Sequence, residues 1–138
     1  MRPTARILNR LLQAEYASLA KRLLKAEAFV GWAAADDRAW LRKTTVDEQD
    51  HERELVEMIL RLRSVPAPPR IGMETGAVHY LRLAHLMPAV AADLRRLIST
   101  YESAGATGNA TADTLVQRIL GDHRRRLTEL ERLHGSSV

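Results

Sequence analysis

The chain of 138 residues has 46% hydrophobic residues, which is enough to bury the core of one domain spanning residues 1–138. It contains no cysteine, so disulfides and thiolate metal sites are excluded. The net charge of +4 is compatible with weak DNA binding, although only residues 124–126 form a basic cluster. A solvated, arginine-rich helical surface is therefore the simpler interpretation of the charge.

No apolar run approaches the length of a membrane span, and the N-terminus lacks the apolar core of a secretory signal. We therefore expect a cytoplasmic protein that does not enter a membrane. The abundance of alanine, leucine and arginine, with only 4% aromatic residues, favours helices over sheets.

The first two predicted elements are long amphipathic helices. Helix one is predicted from about residue 3 to residue 33, because Pro3 suits a helix start and apolar residues recur at helical spacing. Its apolar stripe consists of Leu8, Leu12, Tyr16, Leu19, Leu23 and Val30. Asp36 and Asp37 offer an N-cap and a first-turn carboxylate for helix two, which is predicted to end near Ser64.

The proline-rich segment 64–72 predicts a break, because closely spaced prolines cannot continue a helix. Helix three is predicted from about residue 74 to residue 102, with Pro88 either kinking it or starting a new helix. Helix four is predicted from about residue 111 to residue 134, closed by Gly135. The segment 64–76 could reach about 40 Å at about 3.3 Å per residue, roughly the length of a whole helix. The pattern predicts an all-α four-helix bundle with a long connection between helices two and three.

Ionisable residues interrupt the apolar face of helix two. Stepping about 100° per residue from Leu55 places Glu48 and His51 on the same buried stripe, one turn apart. Burying an unpaired carboxylate is costly, so its position predicts a compensating partner. Two partners fit this spacing: a metal ion bound by the Glu-x-x-His pair, or the cationic half of a buried ion pair.

Two other helices add polar groups to the predicted core. In helix one, Glu15 lies between two apolar residues of the stripe and can face the interior. In helix four, His123 and Arg126 form another pair with i, i+3 spacing on the core face. Helix three has no carboxylate in the middle of its stripe, and its Asp93 lies only on the flank.

Four segments carry a resemblance to known families. The segments 11-LLQAE-15, 26-AEAFVGW-32 and 47-DEQDHERELVEMI-59 resemble bacterioferritin, a member of the ferritin-like superfamily. The segment 111-TADTLVQRILGDHRRRLTELERL-133 is similar to the last helix of the Dps family, the DNA-binding proteins from starved cells. The resemblance implies a ferritin-like bundle whose middle could hold a di-iron carboxylate centre.

The resemblance also implies ligand positions. Glu15 matches the single glutamate that helix one supplies, while Glu48 and His51 match the first Glu-x-x-His pair. Gln49 stands where bacterioferritin has its haem-ligating methionine, so no haem is expected.

The second half of the ligand pattern departs from the family. Met87 stands about where helix three should supply a glutamate, and His123 and Arg126 stand at the Glu and His positions of the second pair. At most two carboxylates remain, which is too few to neutralise two iron ions. We therefore do not expect a ferroxidase, and the sequence does not indicate another enzyme activity.

Three functions remain open from the sequence. The favoured one is a ferritin-like protein that binds one metal ion, iron or another divalent metal, through Glu15, Glu48, His51 and His123. Arg126 would replace a second metal by pairing with Glu15 or Glu48. The alternatives are a Dps-like protein for DNA association or stress protection, and a metal-free structural or interaction bundle. A homo-oligomer of at least two chains is expected.

Overall fold

Helices make up all the regular secondary structure in the described part of the chain. The computed structural model describes residues 2–25, 35–69 and 83–134. The helices are α1 Pro3–Tyr16, α2 Leu19–Lys25, α3 Ala35–Arg61, α4 Leu83–Ala104 and α5 Ala110–His134. The all-α prediction is confirmed within these ranges.

The helices form a bundle with four corners. α1 and α2 share one corner and pack against α3 and α4, while α5 packs against the same two helices from the opposite side. α3 and α4 make little contact with each other and therefore lie at diagonal corners. The chain must pass between these corners after α3, but residues 70–82 lie outside the described residues, so the length of that connection stays a prediction.

The predicted first helix is broken after Tyr16. The N–H groups of Ala17 and Ser18 donate to the carbonyls of Ala14 and Glu15 at 3.2 Å, so the last turn of α1 tightens. Asp93 of α4 then accepts the N–H of Leu19 at 2.9 Å and satisfies the first donor of α2. The remaining part of the predicted helix, including Val30, lies in residues 26–34, outside the described residues.

The first part of the connection after α3 is bound to α1. The Asn9 side chain donates to the Val65 carbonyl at 3.0 Å and accepts the Ala67 N–H at 2.6 Å. Tyr16 donates its hydroxyl to the Ala67 carbonyl at 3.2 Å. These bonds hold the extended chain against the corner that separates α3 from α4.

The other helix ends agree with the predictions within a few residues. α3 begins at Ala35, so Asp36 and Asp37 both lie in its first turn, where the helix dipole favours carboxylates. α4 continues through Pro88 and ends before Gly105, which adopts φ +65°. Asn109 caps α5 by accepting the Ala112 N–H at 3.0 Å. The predicted start of helix three at residue 74 and the closing Gly135 lie outside the described residues.

The interior of the bundle receives an apolar face from each corner. The buried stripe residues include Leu8, Leu12, Leu23, Leu41, Leu55, Ile59, Val90, Leu94, Leu97, Ile119 and Leu130. Leu133, at the end of α5, is 44% exposed. The predicted burial of Glu15, Glu48, His51 and His123 is confirmed. No helix within the described ranges is long and apolar enough to cross a membrane.

Candidate metal centre

Glu15 lies at the centre of a buried polar cluster. It follows Leu11 and Leu12 on the inner face of α1, and its side chain is fully buried. His51 of α3 and His123 of α5 reach the same point from two other corners, and both are also buried. The helical period predicted that these side chains can face the interior, because His51 and His123 lie on the apolar faces of their helices and Glu15 lies beside the stripe of its own.

The three side chains are close enough to share one ion. Glu15 Oε2 lies 2.7 Å from His123 Nε2, and Glu15 Oε1 lies 3.5 Å from His51 Nδ1. The ligand atoms of the three residues all lie within 4.8 Å of one another. The two imidazole rings meet edge to face, with centroids 4.8 Å apart. This buried group of one carboxylate and two imidazoles could hold a metal ion.

Tyr101 of α4 completes the surroundings of Glu15. Its hydroxyl donates to Glu15 Oε2 at 2.6 Å, and its side chain is 1% exposed. Burial, together with the negative charge of Glu15, raises the Tyr101 pKa well above its usual value, so the phenol keeps its proton. The sequence did not single out Tyr101 as a partner of Glu15. A buried tyrosine generally bonds its hydroxyl, which was the available signal for this role.

The cluster is an ion pair in the metal-free protein. Burial raises the pKa of Glu15, but attraction to His123, the hydrogen bond with His123 and the proximity of His51 outweigh it and bring that pKa to about 2. Burial lowers the pKa of His51, whereas Glu15 and Asp122 raise it, and the net effect is a pKa of about 9. Glu15 is thus an anion and His51 a cation at neutral pH.

Asp122 holds the outer side of the His51 ring. Its Oδ2 lies 3.0 Å from His51 Nε2, while its Oδ1 accepts from Arg125 at 3.1 Å. Burial raises the Asp122 pKa, but the contacts with His51 and Arg125 lower it by more, so the net shift of the pKa is downward. A carboxylate on one imidazole nitrogen orients the other nitrogen towards a ligand, so Nδ1 faces Glu15. The sequence did not single out Asp122, which lies beside the predicted stripe and not on it.

Arg126 corrects one prediction. Its Nε lies 2.6 Å from Asp47 Oδ2 and its guanidinium also contacts Glu129 at 3.1 Å. The expected pairing with Glu15 or Glu48 is therefore wrong. The long side chain reaches two partly exposed carboxylates at the bundle edge, where the guanidinium stays partly hydrated. The imidazoles of His51 and His123, and not the guanidinium of Arg126, contact Glu15.

Glu48 is buried but does not belong to the cluster of Glu15, His51 and His123. Burial, followed by repulsion from Glu15, raises its pKa to about 8, so it is largely protonated at neutral pH. Ser18 donates a hydrogen bond to it and opposes this shift. Its role as a metal ligand stays a prediction. Met87, at the helix-three position, is buried and offers no oxygen.

Comparisons with known proteins do not assign this chain. It matches no protein family, and neither a curated protein nor a solved structure shows significant similarity to it. The likeness of its motifs to bacterioferritin and Dps therefore stays a prediction. What is established about a possible function is the geometry of the buried Glu15, His51 and His123 group.

Proposed function

We propose that this chain is a ferritin-like protein that binds one iron(II) or zinc ion in the core of its helical bundle. Glu15, His51 and His123 are the proposed ligands. The observation that carries the proposal is their convergence, since their ligand atoms lie within 4.8 Å of one another inside the bundle. Three helices supply one ligand each, so binding would also cross-link the fold.

The donor atoms fit this class of metal. Imidazole nitrogen together with carboxylate oxygen suits iron(II) and zinc, and a set of three protein ligands leaves a position for a further group. Glu15 Oε1 and His51 Nδ1 are buried and have no hydrogen-bond partner among the described residues. Unsatisfied buried polar atoms are costly, and an ion between these two atoms would satisfy both.

The proposed activity is metal binding and not iron oxidation. A di-iron centre of the ferritin-like type draws carboxylates from all four helices. Here the cluster contains one carboxylate, and the residue at the last ligand position, Arg126, is bound to Asp47 and Glu129. A fixed positive charge at that position opposes a second cation.

Elemental analysis tests the proposal. Protein purified without added metal, and protein incubated anaerobically with iron(II) or zinc and then desalted, should hold about one ion per chain. The variant His123→Gln should lose the ion. The control His134→Gln removes a histidine near the end of the same helix that pairs with Asp37, and should retain it. Absence of stoichiometric metal in the wild type under both conditions overturns the proposal.

A metal-free structural role is the second candidate, and a specific observation favours it. Glu15 already contacts His51, His123 and the Tyr101 hydroxyl, so its charge is compensated without an ion. In that case the polar cluster fixes how the helices at the four corners of the bundle align with one another. A chelator would then leave the melting temperature unchanged, whereas loss of a bound ion should lower it.

Association with DNA and assembly into a homo-oligomer stay predictions from the sequence. Binding to DNA through general basicity should weaken steeply as salt rises, because each phosphate contact releases counterions. Gel retardation at two salt concentrations and light scattering would test these two predictions separately from metal binding.

A further inference from the structure

A small cavity with both polar and apolar walls lies at the break between α1 and α2, beside the candidate metal centre but separate from its three proposed ligands. Ser18, Thr44, Glu48 and Asp93 line it, and apolar side chains of α3 and α4, such as Trp40 and Leu97, close it. Its volume is about 10 Å³, roughly the space that one water molecule or one small cation occupies.

Two residues that line this cavity each have a buried oxygen atom without a hydrogen-bond partner. Glu48 Oε2 and Thr44 Oγ1 have no hydrogen-bond partner among the described residues. Their side chains are only 2% and 1% exposed, so solvent does not satisfy them from outside the bundle. An unsatisfied buried oxygen is unfavourable, and two in one cavity indicate that something occupies the space between them.

The other polar groups of the cavity are also oxygen donors. Asp93 is 17% exposed and sits at the rim, with Oδ2 bound to the Leu19 N–H and Oδ1 bound to Arg96. Two carboxyl groups therefore face one cavity, and the charge of Asp93 contributes to the raised pKa of Glu48. A cation bound between them would favour the ionised form of Glu48. Lys21 also acts on Glu48, but its ammonium is bound to Glu52.

We propose that this cavity is a second cation site, which takes a small, hard divalent cation of the Mg²⁺ and Mn²⁺ class. Glu48, Thr44 and Asp93 supply only oxygen atoms, the donors that such cations prefer. Calcium takes six to eight oxygens at longer distances and needs more room than this cavity gives. The site is independent of the proposed iron or zinc ion, whose ligands include two imidazoles.

Manganese is the probe, because its electron paramagnetic resonance spectrum counts free ions and reports coupling to nitrogen. The experiment uses the His123→Gln variant, in which the nitrogen-containing centre is disrupted. This variant should bind one Mn²⁺ per chain, and pulsed spectra should show no coupling to ¹⁴N. The result does not depend on whether the wild type holds iron or zinc.

Adjacent threonines provide a matched pair of variants in this background. Thr44→Val removes the hydroxyl of a residue that lines the cavity. Thr45→Val removes a hydroxyl that is also buried and unpartnered, on a residue that does not line the cavity. Losing even an outer-shell partner weakens metal binding by about 10- to 100-fold, so Thr44→Val should weaken Mn²⁺ binding at least tenfold. Thr45→Val should leave it within about twofold.

Asp93→Asn is the second test, because asparagine can keep the bond to the Leu19 N–H while removing the charge. It should also weaken Mn²⁺ binding, with a circular dichroism spectrum like that of the parent variant. Three results overturn the proposal: no stoichiometric Mn²⁺, equal affinities for the Thr44 and Thr45 variants, or a clear ¹⁴N coupling. Each of them means that Mn²⁺ does not bind through the oxygen atoms of this cavity.

Discussion

The segments 47-DEQDH-51 of α3 and 122-DHRRR-126 of α5 bind each other in a reciprocal way. The first residue of each segment is an aspartate that contacts the last residue of the other. Asp122 Oδ2 lies 3.0 Å from His51 Nε2, and Asp47 Oδ2 lies 2.6 Å from Arg126 Nε. We call the His51–Asp122 contact and the Arg126–Asp47 contact the two halves of the centre. Each half contains one aspartate, and the halves differ in the residue that this aspartate binds.

That one difference decides what each half can do. His51 is 2% exposed and directs its free nitrogen at Glu15, whereas the Arg126 side chain is 15% exposed and turns to Glu129. An imidazole can lose its proton and bind a metal, but a guanidinium keeps its charge in proteins. The contact between His51 and Asp122 therefore includes a possible metal ligand, whereas the contact between Arg126 and Asp47 is a permanent ion pair.

The largest expected difference between the halves is the loss of stability when a carboxylate beside His51 or beside Arg126 is removed. Glu15→Gln removes the buried charge that faces His51 and His123, and should lower the free energy of unfolding by about 3–5 kcal/mol. Glu129→Gln removes the corresponding carboxylate beside Arg126, which is 36% exposed, and should cost less than about 1 kcal/mol. Urea unfolding followed by circular dichroism measures both values. Equal losses for the two variants would contradict the distinction between a buried and an edge ion pair.

The half with His51 should also make stability depend on pH in the metal-free protein. The His51 pKa of about 9 lies above its unfolded value of 6.5, so its contribution is complete below pH 6.5 and disappears as pH rises through 9. The Glu48 pKa of about 8 also lies above its unfolded value of 4.5, so Glu48 adds a loss of stability as pH rises from 4.5 to 8. Each proton that is bound in the folded state and released on unfolding changes the free energy of unfolding by about 1.4 kcal/mol per pH unit.

Glu15 acts in the opposite direction on the acid side. Its pKa of about 2 lies below 4.5, so its contribution is present above pH 4.5 and is lost as pH falls towards 2. Stability should therefore be greatest near pH 5 and decline on both sides. Unfolding in a chelator at pH 3, 5, 6.5 and 9 tests this, and Glu48→Gln should make the alkaline decline shallower. A constant stability from pH 5 to 9 would show that His51 is not held as a cation.

The two aspartates offer the next comparison, with a smaller effect. Asp122→Asn removes the carboxylate that orients His51, and should weaken iron(II) or zinc binding by about 10- to 100-fold. Asp47→Asn makes the same change beside Arg126 and should leave metal affinity unaltered. Competition with a chromophoric chelator measures both affinities. Similar losses for the two variants would mean that Arg126 also supports the metal ion.

The helical period predicted the burial of four ionisable residues. Glu48, His51 and His123 lie on apolar stripes and Glu15 lies beside one, and a straight helix determines the direction of each side chain. The same rule failed for Arg126, because its backbone lies on the stripe while its flexible side chain reaches the edge. The direction of the Cα–Cβ bond therefore predicts where a short side chain lies better than where a long side chain lies.

Features that depend on distances between helices could not be predicted from the sequence. Asp122 contacts His51 only because α3 and α5 pack side by side, and the break before Leu19 is stabilised by Asp93 from another helix. Glu48 was grouped with His51 by spacing along one helix. In the bundle Glu48 instead lines the cavity together with Thr44.

The smallest expected effect concerns Arg126 itself. If Arg126 compensated a buried carboxylate, as expected from the sequence, Arg126→Leu would leave that charge unpaired and cost about 3–5 kcal/mol. Its actual partners, Asp47 and Glu129, are 22% and 36% exposed and can be hydrated when the guanidinium is removed. The loss of unfolding free energy should therefore be about 1 kcal/mol or less, with unchanged metal content. Arg126→Lys, which keeps the charge but loses the planar donor geometry, is the control and should lie between the wild type and Arg126→Leu. A loss as large as that of Glu15→Gln would instead place Arg126 in the buried charge network, and the two halves of the centre would then be electrostatically equivalent.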